Sequence, residues 1–387
     1  MSDRRPLLSV IIPAHQAARS LPATLAALEA SDLPRALWEL LVADDASTDA
    51  TEIVAAQHAD TVVRLAGNPH GPAYARNRAS EFSRGDVLVF VDADVCVHPD
   101  ALRRIAAEFA ARPELGAVFG SYDDHPAAPD LISQYRNLLQ HYIHHESAGE
   151  AETFWAGLGA VRADVFAEAC KFDEWHYSQP SIEDIELGLR IRRLGHRIVL
   201  RPEIQGTHLK RWTLADVLRS DYRHRGVPWA WLRIREGPSE TAPGLNVRLE
   251  YRISTALACL AAVALVATPF LGVRTAAVIF AALAAAVALL NVRFYGLLAR
   301  RLGAARTLAI FPAHLFQYIS NGVALISGWV HHHMVEVPAT PASVAAVAAL
   351  GMKTWPPPHA RPRSSVWAAQ QNSPQDPRDP LPEEPSP

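Results

Sequence analysis

Residues 85–100 read GDVLVFVDADVCVHPD, and the interpretation of the whole chain turns on them. Five consecutive apolar residues, Val87 to Val91, end abruptly in two carboxylates, Asp92 and Asp94. An unbroken apolar run of this length, bounded by Gly-Asp and by acid, predicts a strand buried on both faces, as in a parallel sheet. Ligands of open α/β sheets sit beyond the carboxyl ends of the strands. Two carboxylates one residue apart at that edge can hold a hard divalent cation, Mg²⁺ or Mn²⁺, which can in turn hold phosphate oxygens.

The flanking sequence repeats the pattern. Residues 7–12 (LLSVII) predict a first strand, stopped by Pro13-Ala14, and residues 20–30 a helix with Leu21, Leu25 and Leu28 on one face and Pro22 in its first turn. A second strand over 38–43 (WELLVA) also runs into acid, Asp44-Asp45, and the helix after it takes Ser47 or Thr48 as its N-cap. A third strand covers 61–65 and a helix 71–80. Alternating strands and helices imply right-handed βαβ units, hence an α/β fold with a mostly parallel sheet flanked by helices. Residues 152–166 read as a loop and a short helix. Ile182-Glu183-Asp184 opens an amphipathic helix closed by Gly195.

Composition narrows the function. The chain has 387 residues and a formal net charge of −3, with a pI near 6.6, which gives no electrostatic case for a nucleic-acid partner. Cys96, Cys170 and Cys259 form no CxxC pair and no disulfide framework, as expected in a reducing compartment. The apolar run near the N-terminus is too short, and too soon broken by Pro13, to be a secretory signal.

Three uncharged stretches, about 253–271, 275–292 and 308–330, are each long enough to cross a bilayer. His314, Gln317 and Asn321 make the third the least apolar. Arg293, Arg300, Arg301 and Arg306 lie between the second and third, against Arg274 alone between the first two. The positive-inside rule then puts the arginine-rich link and the catalytic part in the cytoplasm, and with three crossings the tail on the far side. Residues 214–235 mix Arg219, Arg223, Arg225 and Arg233 with Tyr222, Trp229 and Trp231. Such a segment suits contact with membrane lipids or a lid that clamps a diphosphate, with Arg225-Gly226 as a mobile joint. Residues 339–352 are too short to cross, and the Pro-rich sequence from Trp355 reads as disordered. The expected division is a catalytic domain over 1–212, an interface segment over 213–250, membrane helices over 251–331 and a disordered tail over 332–387.

Seven motifs, SVIIPAH, ADDASTD, GPAYARN, FVDAD, FWAGLGAVRADVF, KFDE and SIEDIELGLRIRRLGHRI, stand in an order and spacing that resemble the family 2 glycosyltransferases of GT-A fold, over residues 7–202. The resemblance implies a nucleotide-sugar donor contacted by Pro13, Asp44, Asp45, Arg76 and Asp92. It also implies a divalent cation held by Asp92 and Asp94, with His208 nearby. Asp184 would be the general base of an inverting transfer, with Glu183 beside it, and Trp155 and Gly157 would face the acceptor. Read as residues alone, Asp44 and Asp45 serve equally as helix caps, Glu183 and Asp184 as acids favoured in a first helical turn, and Trp155 as a core side chain. The family pattern carries two glycines ahead of FDE, where this chain has Cys170-Lys171. Gln205 lies six residues before Arg211-Trp212, so the Q-x-x-R-W of processive synthases is missing and a non-processive enzyme is expected. The membrane stretches favour a lipid or lipid-linked hydroxyl acceptor. A polyprenyl phosphate acceptor and a catalytically silent nucleotide-binding membrane subunit are the alternatives.

Overall fold

In the computed structural model, which describes residues 7–236 and 248–334, the apolar runs form one nine-stranded sheet. Strands β1 (Leu8–Ala14), β2 (Trp38–Asp45), β3 (Thr61–Leu65) and β4 (Val87–Val91) are parallel. Helices α1 (Leu21–Glu29), α2 (Thr51–His58) and α3 (Pro72–Ser80) connect them. Then follow β5 (Val95–Val97), α4 (Ala101–Ala111), β6 (Leu115–Tyr122), α5 (Leu131–Glu146), β7 (Gly149–Ala151), β8 (Leu158–Arg162), α6 (Ala163–Glu168), α7 (Glu183–Arg193) and β9 (Arg197–His208). The strand order is β3-β2-β1-β4-β8-β6-β9-β5, with β7 also on β9. Val87 to Val91 are all buried, as a strand covered on both faces requires.

Several expectations need correction. The sheet is mixed: β8 runs antiparallel to both β4 and β6, and β5 and β7 run antiparallel to β9. Beyond Val91 the strands that helices join no longer pair with each other, and β8 enters from the edge where β4 leaves. β1 continues through Pro13 to Ala14. Its pairing with β4 has ended by Ile11, so the N–H that Pro13 lacks is not needed on that side. Ser47 and Thr48 cap no helix; α2 starts at Thr51, and their hydroxyls accept instead from the amide and side chain of Gln16, at 3.0 and 2.7 Å. Part of the expected loop over 152–166 is the central strand β8. Its Gly159 is required for packing, since a Cβ there would stand 2.3 Å from the Trp155 carbonyl oxygen.

The C-terminal part is helical: α8 (Leu214–Leu218), a π-helical stretch Arg219–Gly226, α9 (Val227–Glu236), α10 (Leu249–Val266), α11 (Thr268–Leu271), α12 (Val273–Leu290), α13 (Val292–Leu302) and α14 (Ala304–Met334). Three of these, α10, α12 and α14, are long and apolar enough to cross a membrane. The basic-aromatic segment is docked on the sheet domain. Trp231 and Leu232 are buried with Tyr177 and Ile182, each such burial contributing roughly 1.5–3 kcal/mol. Gly226 is a packing contact, because a Cβ there would meet Asp221 O at 2.5 Å and Ala324 Cβ at 2.8 Å. On the other flank, Phe294 and Leu298 of α13 pack on Tyr135, Leu138 and Leu139 of α5. Residues 332–334 of the expected disordered tail are helical, the end of α14; the rest of that tail, with the short apolar stretch 339–352, lies outside the described residues.

Candidate active site

The parallel strands deliver their carboxyl ends to one edge, and β6, antiparallel to β8 as β4 is, ends there too. Asp92 follows directly on β4, and its amide donates to the Gly157 carbonyl (3.2 Å), which brings the start of β8 to the same edge. His208 ends β9 opposite Val95, one residue beyond Asp94. The N-terminus of α7 closes the group: Asp184 Oδ2 accepts from the Ala156 amide at 3.0 Å.

One arginine joins the two acid clusters. Arg76, buried on α3, donates through Nη2 to Asp92 Oδ1 (2.7 Å) and through Nη1 to Glu183 Oε1 (3.0 Å). Burial works against its charge, but Asp92, Glu183 and Asp184 outweigh that and raise its pKa. The second oxygen of Glu183 accepts from the Ser181 amide (3.0 Å). Asp184, partly exposed, is pushed up to about 7, first by desolvation and then by the adjacent Glu183 charge. A carboxyl that titrates near neutrality is matched to general-base work at physiological pH.

Asp92 and Asp94 are shifted in opposite directions. Burial pushes Asp92 up, with Arg76 opposing and Asp94 adding to it. Burial also acts on Asp94, but His208 and Lys210 outweigh it and hold that carboxyl below its ordinary range. His208 Nδ1 donates to Asn137 Oδ1 at 2.8 Å, so Nε2 is the atom facing Asp94 Oδ2, 3.5 Å away. A ring oriented through Nδ1 with Nε2 presented beside a carboxylate is the usual preparation for a metal ligand. Among the described residues no three His, Cys, Asp or Glu side chains close a metal cage. The carboxylates of Asp92 and Asp94 are hard oxygen donors, and they fit an ion of the Mg²⁺ or Mn²⁺ kind, which is bound by one or two carboxylates and completed by substrate phosphates.

The remaining expected residues divide. Trp155 packs edge-on against Tyr122 (4.9 Å) and His144 (4.9 Å), walling the site. Gly157 makes room for that indole, since a Cβ would lie 2.5 Å from Trp155 Cζ2. Asp45 is engaged elsewhere: it accepts from the amides of His70 (2.9 Å) and Gly71 (2.7 Å) and so fixes the start of α3. Asp44 Oδ1 accepts from the Ser47 amide at 3.2 Å, a local turn bond. Pro13, on β1, pairs with Ala43 of β2. None of these three joins the Arg76 network. Two residues that motif reading missed belong to the site: Tyr122, stacked on His208 with centroids 4.4 Å apart, and Asn137, which orients that histidine.

Comparison with known proteins decides the family. The pattern described as Glycosyl transferase family 2 matches residues 9–168. Glycosyltransferase AglE of Haloferax volcanii is 32% identical over 241 residues, covering 60% of this chain and 76% of AglE. The chain belongs to glycosyltransferase family 2. Its activity is accordingly that of a glycosyltransferase using a nucleotide-sugar donor, and the mixed sheet flanked by helices is its GT-A fold. Another relative is the UDP-Glc:alpha-D-GlcNAc-diphosphoundecaprenol beta-1,3-glucosyltransferase WfgD of Escherichia coli, 33% identical over 90 residues, or 23% of this chain and 35% of WfgD. Among solved structures, the mannosyltransferase PcManGT of Pyrobaculum calidifontis, in complex with GDP-Man and Mn²⁺, aligns with a TM-score of 0.47 and 18% identity, over 86% of this chain and 88% of that one.

Proposed function

We propose that this glycosyltransferase is metal-dependent and inverting, and that it transfers sugar to a hydroxyl of a lipid-linked acceptor at the membrane surface. The observation that carries the reading is the Asp92–Arg76–Glu183 bridge, which ties the acidic strand end to the turn of α7 that presents Asp184. Asp92, Asp94 and His208 would hold the divalent cation, whose chemistry is Lewis-acid stabilisation of the departing nucleoside diphosphate. Arg76 fixes Asp92 in place and keeps the Glu183 charge paired. Asp184, held by the Ala156 amide and raised toward neutrality, takes the acceptor hydroxyl proton as the oxygen attacks the anomeric carbon. Trp155, partly exposed and braced edge-on by Tyr122, offers a ring on which a sugar can stack. WfgD, whose name specifies a diphosphoundecaprenol-linked substrate, supports the acceptor class.

NMR of the product tests the proposal. The anomeric configuration should be opposite to that of the donor, and product should require a divalent cation. A retained configuration, or undiminished turnover after chelation, overturns it.

The membrane arrangement is part of the same reading: two crossings, α10 and α12, with α14 lying along the catalytic side. Near its start α14 reaches α5, where Ile310 joins the Tyr135 cluster and Gln317 accepts from the Tyr135 hydroxyl. Near its end Ser327 bonds Tyr222 (2.9 Å), and Gly328 abuts Ala230 and Trp231 of α9. From Ile310 to Gly328 a helix advances about 27 Å, close to the thickness of the hydrocarbon core. A helix that meets α5 at one end of that span and α9, docked on the sheet domain, at the other is read as lying flat rather than across. Arg301 pairs with Asp124 and Arg306 with Gln134, so the arginine-rich link is on the catalytic side, the cytoplasm by the positive-inside rule. Reporter fusions at Gly303 and Pro358 should therefore report the same side; opposite sides would restore three crossings.

A further inference from the structure

Away from the sheet edge, a groove of about 610 Å³ runs between α5 and α13. On α13 its lining residues are Val292, Arg293, Gly296, Leu297 and Arg300, which share one helical face. His141, Tyr142, His145 and Glu146 of α5 form the opposite wall. We propose that this groove binds the phosphate headgroup of a membrane lipid. The proposal deepens the lipid-linked assignment and rests on the same membrane placement.

Charge comes first. Arg300 makes no ion pair or hydrogen bond among the described residues, and Arg293 reaches only Glu146, at 3.8 Å. Glu146 is itself 3.1 Å from Arg248, which Glu250 also meets at 3.5 Å, so Arg248, Arg293 and Arg300 stand against two carboxylates and the groove stays positive. Guanidinium forks suit phosphate oxygens, which they bind with charge-assisted hydrogen bonds. The imidazoles are oriented: His141 Nδ1 donates to Tyr122 O and His145 Nδ1 to His141 O, each at 2.9 Å, so both turn Nε2 away from those carbonyls.

Shape comes second. Gly296 sits in the middle of α13, where glycine is less favourable than alanine. Packing does not demand it: a Cβ there would meet nothing closer than Arg300 Nη1, at 3.6 Å, an ordinary contact. What the glycine does is keep the groove open beneath that guanidinium.

Place comes third and selects a lipid over a soluble anion. The groove begins two residues beyond α12, one of the membrane-length helices; Val292, which lines it, is 61% exposed, and Leu289 in the last turn of α12 is 73% exposed. An amphiphile can set its phosphate between Arg293 and Arg300 with its chain along that apolar rim. His141 backs onto Tyr122, which stacks on His208, so an occupied groove lies one residue behind the wall of the catalytic centre.

Native mass spectrometry of the full chain in neutral detergent tests this. The probes are dioleoyl phosphatidic acid, dioleoyl phosphatidylcholine and inorganic phosphate. The wild type should retain phosphatidic acid in preference to phosphatidylcholine, and inorganic phosphate at equal concentration should not displace it. The double variant Arg293→Gln/Arg300→Gln should retain it at least about tenfold less, as expected for two lost charge-assisted contacts. Gly296→Leu should do the same by filling the groove with both arginines in place. Nucleoside-diphosphate binding, read in parallel, should be unchanged in all variants, which separates this site from the donor site and from misfolding. Equal retention by wild type and both variants overturns the proposal. Displacement by inorganic phosphate overturns the lipid assignment in favour of a soluble anion. Loss of product inversion or metal dependence, with lipid retention intact, would instead count against the catalytic reading alone.

Discussion

At the C-terminal end of α7, Arg190 is wholly enclosed and its guanidinium is matched on several sides. It meets both oxygens of Glu186 (2.6–3.1 Å), and it donates to the Lys171 carbonyl (2.7 Å) and to that of Ala169. At the N-terminal end, Arg76 is buried almost as deeply but is matched less completely. Its two partners are carboxylates at the cleft, one of them Asp92 with a side chain 35% exposed, and its Nε is buried with no hydrogen-bond partner. Both are buried arginines facing acids on or near the same helix. The closed cluster has no capacity left for a ligand, whereas the open one keeps exposed carboxylate oxygen and a base near its titration point. Saturation marks a structural ion pair, and incompleteness marks a functional one.

Substitutions can break that contrast. Arg190→Met strands Glu186, which is 2% exposed, and should cost about 3–5 kcal/mol of stability, the usual penalty for breaking a buried pair. Thermal denaturation in detergent reads it, and a melting temperature within a degree of wild type would erase the distinction. Arg76→Met should cost somewhat less, about 3 kcal/mol, because Asp92 can rehydrate while Glu183, 5% exposed, keeps only the Ser181 amide. It should nevertheless abolish metal-dependent nucleotide binding, and normal binding would show Arg76 to be structural as well. The smallest effect sharpens the closed end. Cys170 and Lys171, whose carbonyl Arg190 holds, sit at φ +61° and +60°, in the left-handed region. Cys170→Gly should relieve that strain and stabilise by up to about 1 kcal/mol; destabilisation would mean that the backbone here is not strained.

The contrast also explains what the sequence could reveal. Val87–Val91 and the following acids were legible because an apolar run and its terminator lie within one local pattern. Glu183 and Asp184 were legible as acids opening an amphipathic helix, and their pairing with the strand end came from the motif series. Contacts between distant segments were not: Asn137 orients a histidine 71 positions away, and Arg76 reaches Glu183 across 107. Tyr122 is an unremarked residue at the end of β6 until β9 is laid beside it. The direction of β8 was hidden too, since an apolar stretch with two glycines carries no sign of which neighbour it will pair with. Asp45 shows the reverse case, where a motif residue proves to hold a loop, because two backbone amides 25 and 26 positions later fall within its reach. The left-handed backbone at Cys170-Lys171 persists without the family's glycines, so there the fold overrides local preference.

The central claim is that the open end of α7 supplies the base, and Asp184→Asn tests it most directly. Asp184 titrates near 7 in the folded chain, above the ordinary 3.8, so the neutral form favours folding; that contribution is whole below 3.8 and is lost as pH rises to about 7. Catalysis requires the opposite, ionised form, so kcat/KM should climb with pH through about 7 and level off above it. In Asp184→Asn the donor dissociation constant should stay within about twofold, kcat should fall by roughly 10²–10⁴-fold, and the rise near pH 7 should vanish. Near-normal turnover with the pH dependence intact would contradict the account.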